Sequence, residues 1–262
     1  MYWNSEVLKE NFDGKFFGHS LHCQSETIST NDDAFSLGIA GVPEGTVVIA
    51  DSQIAGKGRC QRSWHSPPGL NIYTSLILRP QIESFNASGI PIMAGVAVAE
   101  VLDIYCPGQI ELKWPNDVMI NNKKVCGILS VAKMNGGKVD FIVLGIGINV
   151  NIKYNQFPEE IRNIATSLAM ESGREIDRQE LIISLYENLE KWYKQQLQKG
   201  FSPIKQKWIA LTTMIGQMVQ VKFGKESIKG KAVDLDDEGS LILLSEDNKE
   251  IKVSAGDATI IR

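Results

Sequence analysis

The chain has 262 residues, 43% of them hydrophobic and 22% charged, with a net charge of −4. Such a balance fits an ordinary globular protein of one large domain, or one large and one small, that needs no disulfide staple. A pI of about 5.5 argues against nucleic acid as the main partner, so any anion site has to be local.

The N-terminal "MYWNSEVLKENFDG" lacks the basic and apolar regions of a signal peptide. No apolar run approaches the ~20 residues that cross a bilayer. The four cysteines show no CxxC spacing and suit a reducing cytosol, with Cys126 expected to be buried; the expected location is the cytoplasm. "STND" (29–32) reads as the start of a short helix capped by Ser29, Thr30 or Asn31. "TVVIA" (46–50) reads as a buried strand running into "GKGRCQRSW" (56–64). After the breaker "SPPG", "LNIYTSLIL" (70–78) alternates as a second strand. The stretch 88–106 is apolar nearly all round, as in a helix buried in a domain body.

Between 110 and 151, Asn-Asn and Asn-Gly-Gly interrupt apolar runs, which are hairpin signals and predict antiparallel pairing. "FPEEIRNIATSLAM" (157–170) is expected to be helical. So is 178–199, with Asp177 as N-cap, Glu180 at capping-box spacing and Gly200 as stop. Ser202-Pro203 opens another short helix, to about Leu211. From Gly216 the texture changes to short strands and polar turns, the pattern of a small all-β barrel or sandwich. The expected domains are 1–213 and 214–262.

The loop 56–64 holds two glycines, three cations and no carboxylate. Backbone N–H groups freed by glycine, completed by cations, make an anion site. It is not a Walker loop, because GxxxxGK[ST] is absent; the alternative is a basic surface loop without a ligand. In "VLGIGINVN" (143–151), GxGxxG fails because Val150 takes the third glycine's place; glycines within a strand signal close approach of a ligand or backbone, or else a bulge. "KWPND" (113–117) puts Asn116 and Asp117 at a turn tip, and Lys124 enters the next strand, either snorkelling or holding an anion. His19, His22 and Cys23 lack the second cluster a zinc site needs. Neither a Ser-His-Asp set nor GxSxG is present, so covalent acyl-enzyme chemistry is not expected. Several cations with little acid–base machinery point to the joining or transfer of anions.

Taken together, "STND", "GKGRCQRSW", "KWPND", "KKVCGIL" and "GIGIN", in that order and ahead of a small β domain, resemble the biotin–protein ligase family. The resemblance covers nearly the whole chain. It implies an α+β catalytic domain built on a mixed, largely antiparallel sheet, as in class II aminoacyl-tRNA synthetases, plus a C-terminal SH3-like β-barrel. It also implies the form without an N-terminal DNA-binding domain, since too few residues precede Ser25 for a helix-turn-helix.

By position, Ser29, Thr30, Asn31 and Gln53 resemble the segment that meets biotin. Gly56, Lys57, Gly58 and Arg59 resemble the loop over biotin and the adenylate, and Gly127, Gly145 and Gly147 its floor. Arg62, Trp64, Asn116 and Asn149 are similar to nucleotide contacts. Lys124, Arg59 and Arg62 match the catalytic cations, with Lys124 between the biotin carboxylate and the α-phosphate. Asp117 stands where a carboxylate could hold Mg²⁺. Lys57 replaces the commoner arginine, keeping charge but losing the bidentate fork.

The implied reaction joins biotin to ATP, releasing pyrophosphate, then passes the biotinyl group from the adenylate to a lysine of a biotin carboxyl carrier domain. No nucleic acid or membrane partner is implied, and the chain is expected to be a monomer or homodimer. Rival readings are a lipoate or octanoate ligase, and a non-catalytic biotin- or nucleotide-binding protein.

Overall fold

Two long strands, β6 (Lys123–Asn135) and β7 (Lys138–Ile148), are paired antiparallel near the middle of a seven-stranded sheet. The computed structural model describes residues 3–12, 15–80 and 87–261. Before this hairpin come α1 (Ser5–Phe12), β1 (Leu21–Thr27), α2 (Thr30–Ile39), β2 (Val47–Gln53), β3 (Ile72–Leu78), α3 (Gly89–Asp103), β4 (Ile110–Lys113) and β5 (Asp117–Ile120). The sheet order is β1-β2-β3-β7-β6-β5-β4, parallel between β1 and β2 and antiparallel elsewhere. The antiparallel expectation therefore holds for 110–148. Asn121 and Asn122, both at positive φ, make the tight β5–β6 turn that the Asn-Asn pair predicts.

Behind the sheet lies α3, buried along almost its whole length, which is why it carries no polar face. It packs against α5 (Arg178–Lys199) and α6 (Ser202–Ala210). The α5 N-terminus is capped as expected, Asp177 Oδ1 accepting from the backbone N–H groups of Gln179 at 2.7 Å and Glu180 at 3.2 Å. A buried ion pair, Arg178 Nη2 to Asp51 Oδ1 at 2.9 Å, ties that end of α5 to β2.

One helix expectation is corrected. Within 157–170 only α4 (Leu168–Ser172) is helical, and residues before it run as turns. The backbone there pairs with β6: Lys124 N–H donates to Ile164 O at 2.8 Å and Thr166 N–H to Lys124 O at 3.0 Å. Tertiary strand-like pairing has overridden a helical pattern, and it braces Lys124 from the side.

The C-terminal domain is a small antiparallel sheet of five strands: β8 (Met218–Phe223), β9 (Glu226–Leu235), β10 (Leu241–Leu244), β11 (Glu250–Val253) and β12 (Asp257–Ile260), in the order β11-β10-β9-β8-β12. Its buried residues, Val219, Leu241 and Ala258 among them, join the same apolar cluster as α3. Trp114, beside the cis Trp114–Pro115 bond, donates its indole N–H to Gly239 O at 3.0 Å. Ser88 donates to Glu238 O. These contacts dock the β9–β10 turn against the end of β4 and the start of α3.

Candidate active site

A cavity of about 410 Å³ opens over the ends of β2, β3, β6 and β7. Every expected site residue lines it except Gly56: Ser29, Thr30 and Asn31, Gln53, Lys57 to Arg59, Arg62 and Trp64 of the loop, Asn116, Asp117, Lys124, and the β6–β7 glycines with Asn149.

Its inner end is a buried polar cluster. Ser29 is the N-cap of α2 but makes no side-chain cap bond, so its conformation starts the helix while Thr30 and Asn31 serve the cavity. Gln53 Oε1 accepts from Thr30 N at 2.9 Å and Thr30 Oγ1 at 3.2 Å, and Gln53 Nε2 donates to Ser66 Oγ at 2.9 Å. Ser75 Oγ lies 2.9 Å from Thr30 Oγ1 and 2.6 Å from Asn31 Oδ1. Ser75 and Ser66 were not read from the sequence; neither lines the cavity, but both hold residues that do, and the pairing of Ser75 with Gly145 across β3–β7 was the available signal.

The floor is glycine because side chains lie on it. Gly127 pairs with Gly147 across β6–β7. A methyl at Gly145 would collide with the Asn31 amide, and one at Gly147 would sit 2.5 Å from Trp64 Nε1. Close approach, not a bulge, therefore explains these glycines. Gly56 does not itself line the cavity; a Cβ there would meet Trp64 O at 2.6 Å and Ser66 Oγ at 2.7 Å. It allows the loop to close on itself, with Trp64 N–H donating to Gly56 O at 2.8 Å and Gly58 N–H to Arg62 O at 2.7 Å.

Every expected cation of the outer end faces a carboxylate. Lys57 pairs with Asp32 at 2.7 Å, Lys124 with Asp117 at 2.6 Å, and Asp257 takes both Arg59 at 3.2 Å and Arg62 at 2.5 Å. Four cations thus meet three carboxylates within an acidic protein. Lys124 is aimed by a register shift in the β5–β6 pairing, where Met119 pairs Lys124 although Val118 pairs Cys126. Its Nζ stands 5.4 Å from the Trp64 ring centroid, and Trp64 Nε1 is buried with no hydrogen-bond partner among the described residues. Asn116 accepts from Arg59 Nη1 at 3.1 Å and donates to Ile128 O at 2.6 Å. The Asn149 amide donates to Thr166 O at 3.0 Å, so this residue also fastens the segment bracing Lys124.

Nucleophile chemistry finds little here. Burial pushes the Cys126 thiol and the Tyr73 phenol well above their usual ranges, keeping both protonated and inert.

Residues 21–149 match the model of the biotin/lipoate A/B protein ligase family, and 214–259 that of the biotin protein ligase C-terminal domain. The chain is 41% identical over 224 residues to the bifunctional ligase/repressor BirA of Bacillus subtilis, covering 86% of this chain and 68% of that one. The chain belongs to the biotin protein ligase family. Another member of that family, the biotin–[acetyl-CoA-carboxylase] ligase of Paracoccus denitrificans, is 32% identical, covering 84% of this chain and 92% of its own. Among solved family structures, the Aquifex aeolicus biotin protein ligase in complex with biotin and ATP superposes with a TM-score of 0.79 at 32% identity, covering 93% of this chain and 99% of that chain. No helix among the described residues is long and apolar enough to cross a membrane.

Proposed function

We propose that the chain is an ATP-dependent biotin–protein ligase, which forms biotinyl-5′-AMP and transfers biotin to a lysine of a biotin carboxyl carrier domain. The observation carrying this is the union in one cavity of a neutral polar end and a cationic end, in a chain matching both domains of the family.

The Thr30–Asn31–Gln53 cluster, held from behind by Ser75, offers donors and acceptors in fixed positions, suited to a cyclic urea that presents both. The glycine floor leaves room for a flat bicycle once Trp64 withdraws. At the other end, the biotin carboxylate oxygen attacks the α-phosphorus of ATP; the new P–O bond forms as the bond to pyrophosphate breaks. Two unit charges 4 Å apart repel by ~4 kcal/mol at an effective dielectric of 20, which the cations must offset. In this reading Lys124 neutralises the approaching carboxylate and α-phosphate, and Arg59 and Arg62 the nucleotide phosphates. The loop 56–64, ordered over the mixed anhydride, excludes water. The ε-amine of the acceptor lysine then attacks the acyl carbon and AMP leaves.

The residues present do not form a protein cage for magnesium. Asp117 is engaged by Lys124, and no three His, Cys, Asp or Glu residues gather as a metal site among the described residues. Mg²⁺ belongs to the proposal only as the ion that accompanies ATP. We place the domain boundary at 213/214, between α6 and β8.

The test is ATP–pyrophosphate exchange measured in parallel with biotin, lipoate and octanoate. Exchange with biotin alone is expected; exchange with lipoate alone, or with none, overturns the reading.

A further inference from the structure

The start of β12 reaches into the catalytic cavity. Gly256, at φ +132°, fixes the turn, since a Cβ there would meet Val221 Cγ1 at 2.5 Å and Lys222 O at 2.9 Å. Asp257 follows as the first residue of β12, in register with Lys222, and lines the cavity. Its two oxygens are divided between two residues of a loop nearly 200 positions upstream. Oδ1 lies 3.2 Å from Arg59 Nη1 and Oδ2 lies 2.5 Å from Arg62 Nη2. Arg59 Nη1 also reaches Gly256 O and Asn116 Oδ1, each at 3.1 Å, so this one nitrogen joins the loop, the β4–β5 turn and the C-terminal sheet.

Among the described residues, Arg59 bonds through Nη1 alone and Arg62 through Nη2 alone. A guanidinium has five N–H donors, so each arginine keeps most of its fork for a ligand while being held by one corner. A carboxylate that blocked the site would engage the fork face-on.

We propose that Asp257 is a positioning residue through which the C-terminal sheet presets Arg59 and Arg62 for the nucleotide phosphates. The inference rests on the adenylation reading above. Holding two long side chains in place beforehand removes part of the ordering cost of binding, so loss of Asp257 weakens ATP binding about tenfold.

The experiment compares Asp257→Asn and Asp257→Glu with wild type in steady-state pyrophosphate exchange, alongside the melting temperature and the rate of tryptic cleavage after Arg59 and Arg62 without ligands. Asp257→Asn, which keeps shape and loses charge, should raise KM for ATP about tenfold, leave KM for biotin within about twofold, keep the melting temperature and speed the cleavage. Asp257→Glu should recover most of the ATP affinity. An unchanged ATP KM, an unchanged cleavage rate, or both KM values rising together with a fallen melting temperature overturns the proposal. Absence of exchange in wild type sinks the adenylation reading instead, and the tryptic rate still reports on the restraint.

Discussion

The two ends of the cavity are held by different physics. The inner end is fixed by sheet register: Ser75 opposite Gly145, Gly127 opposite Gly147, and the buried Thr30–Gln53 bonds among them. The outer end is fixed by ion pairs, and Arg62 there is 70% exposed. Buried, mutually satisfied hydrogen bonds tolerate no slack, whereas exposed ion pairs are worth only ~0–1 kcal/mol each and exchange partners readily. In the proposed reading the rigid end selects the neutral ring system. In the same reading, phosphates that displace Asp32 from Lys57 and take the donors Asp257 leaves free on Arg59 and Arg62 are gathered by the adaptable one. Removing a residue from each end should therefore produce losses of different kinds.

The largest loss is expected where the ends meet. Lys124 is anchored through both its backbone N–H and its C=O by the segment 164–166, and its Nζ lies against the glycine floor at Gly127. Lys124→Ala should lower exchange by roughly 10²–10³-fold, the scale of one removed electrostatic stabiliser, with an unchanged circular dichroism spectrum. Near-normal exchange would remove Lys124 from the mechanism. Next comes the rigid end. Gly145→Ala forces a methyl into the Asn31 amide, and such overpacking costs ~1–3 kcal/mol. KM for biotin should rise about tenfold or more, while KM for ATP moves little. Equal changes in both would show that the two ends are not separable.

Much of this was legible beforehand, for identifiable reasons. Glycines inside β7 and a basic loop with two glycines are local signals, and both stretches fold into the site. The strands at 110–148 followed from asparagine and glycine turns. What failed or was missed depends on partners distant in sequence. The 157–170 stretch has a helical pattern, yet β6 takes its backbone. Asp257 lay in an unremarkable "AGDAT", and only the docking of the small sheet brings it to Arg59. Strand β1 was not anticipated at all; "LHCQSET" is polar because, as the sheet's edge, it is only partly buried.

A loop-specific lesion should spare chemistry more than containment. Arg59 ties the loop to Asn116 and Asp257, so Arg59→Gly removes the link while Lys124 remains in place. KM for ATP should rise, but pyrophosphate release at saturating ATP should be partly retained, because Lys124 and Arg62 remain, while biotinyl-5′-AMP should escape before transfer. Labelling of unrelated lysines on a bystander protein measures that escape. A variant that retains the adenylate as tightly as wild type would show that Arg59 is not the latch.

The smallest effect needs no mutation and tests the contrast most directly. Raising ionic strength from about 0.05 to 0.5 M shortens the Debye length to a few ångströms, which weakens exposed ion pairs and leaves buried hydrogen bonds almost untouched. KM for ATP should rise severalfold over that range, because Arg62, Lys57 and the phosphates they receive all face solvent. KM for biotin should stay within about twofold, since Gln53, Thr30 and Ser75 carry no charge to screen. A biotin KM with the same salt slope as ATP would mean that recognition of the ring also depends on the cationic loop, and that the cavity works as one electrostatic unit.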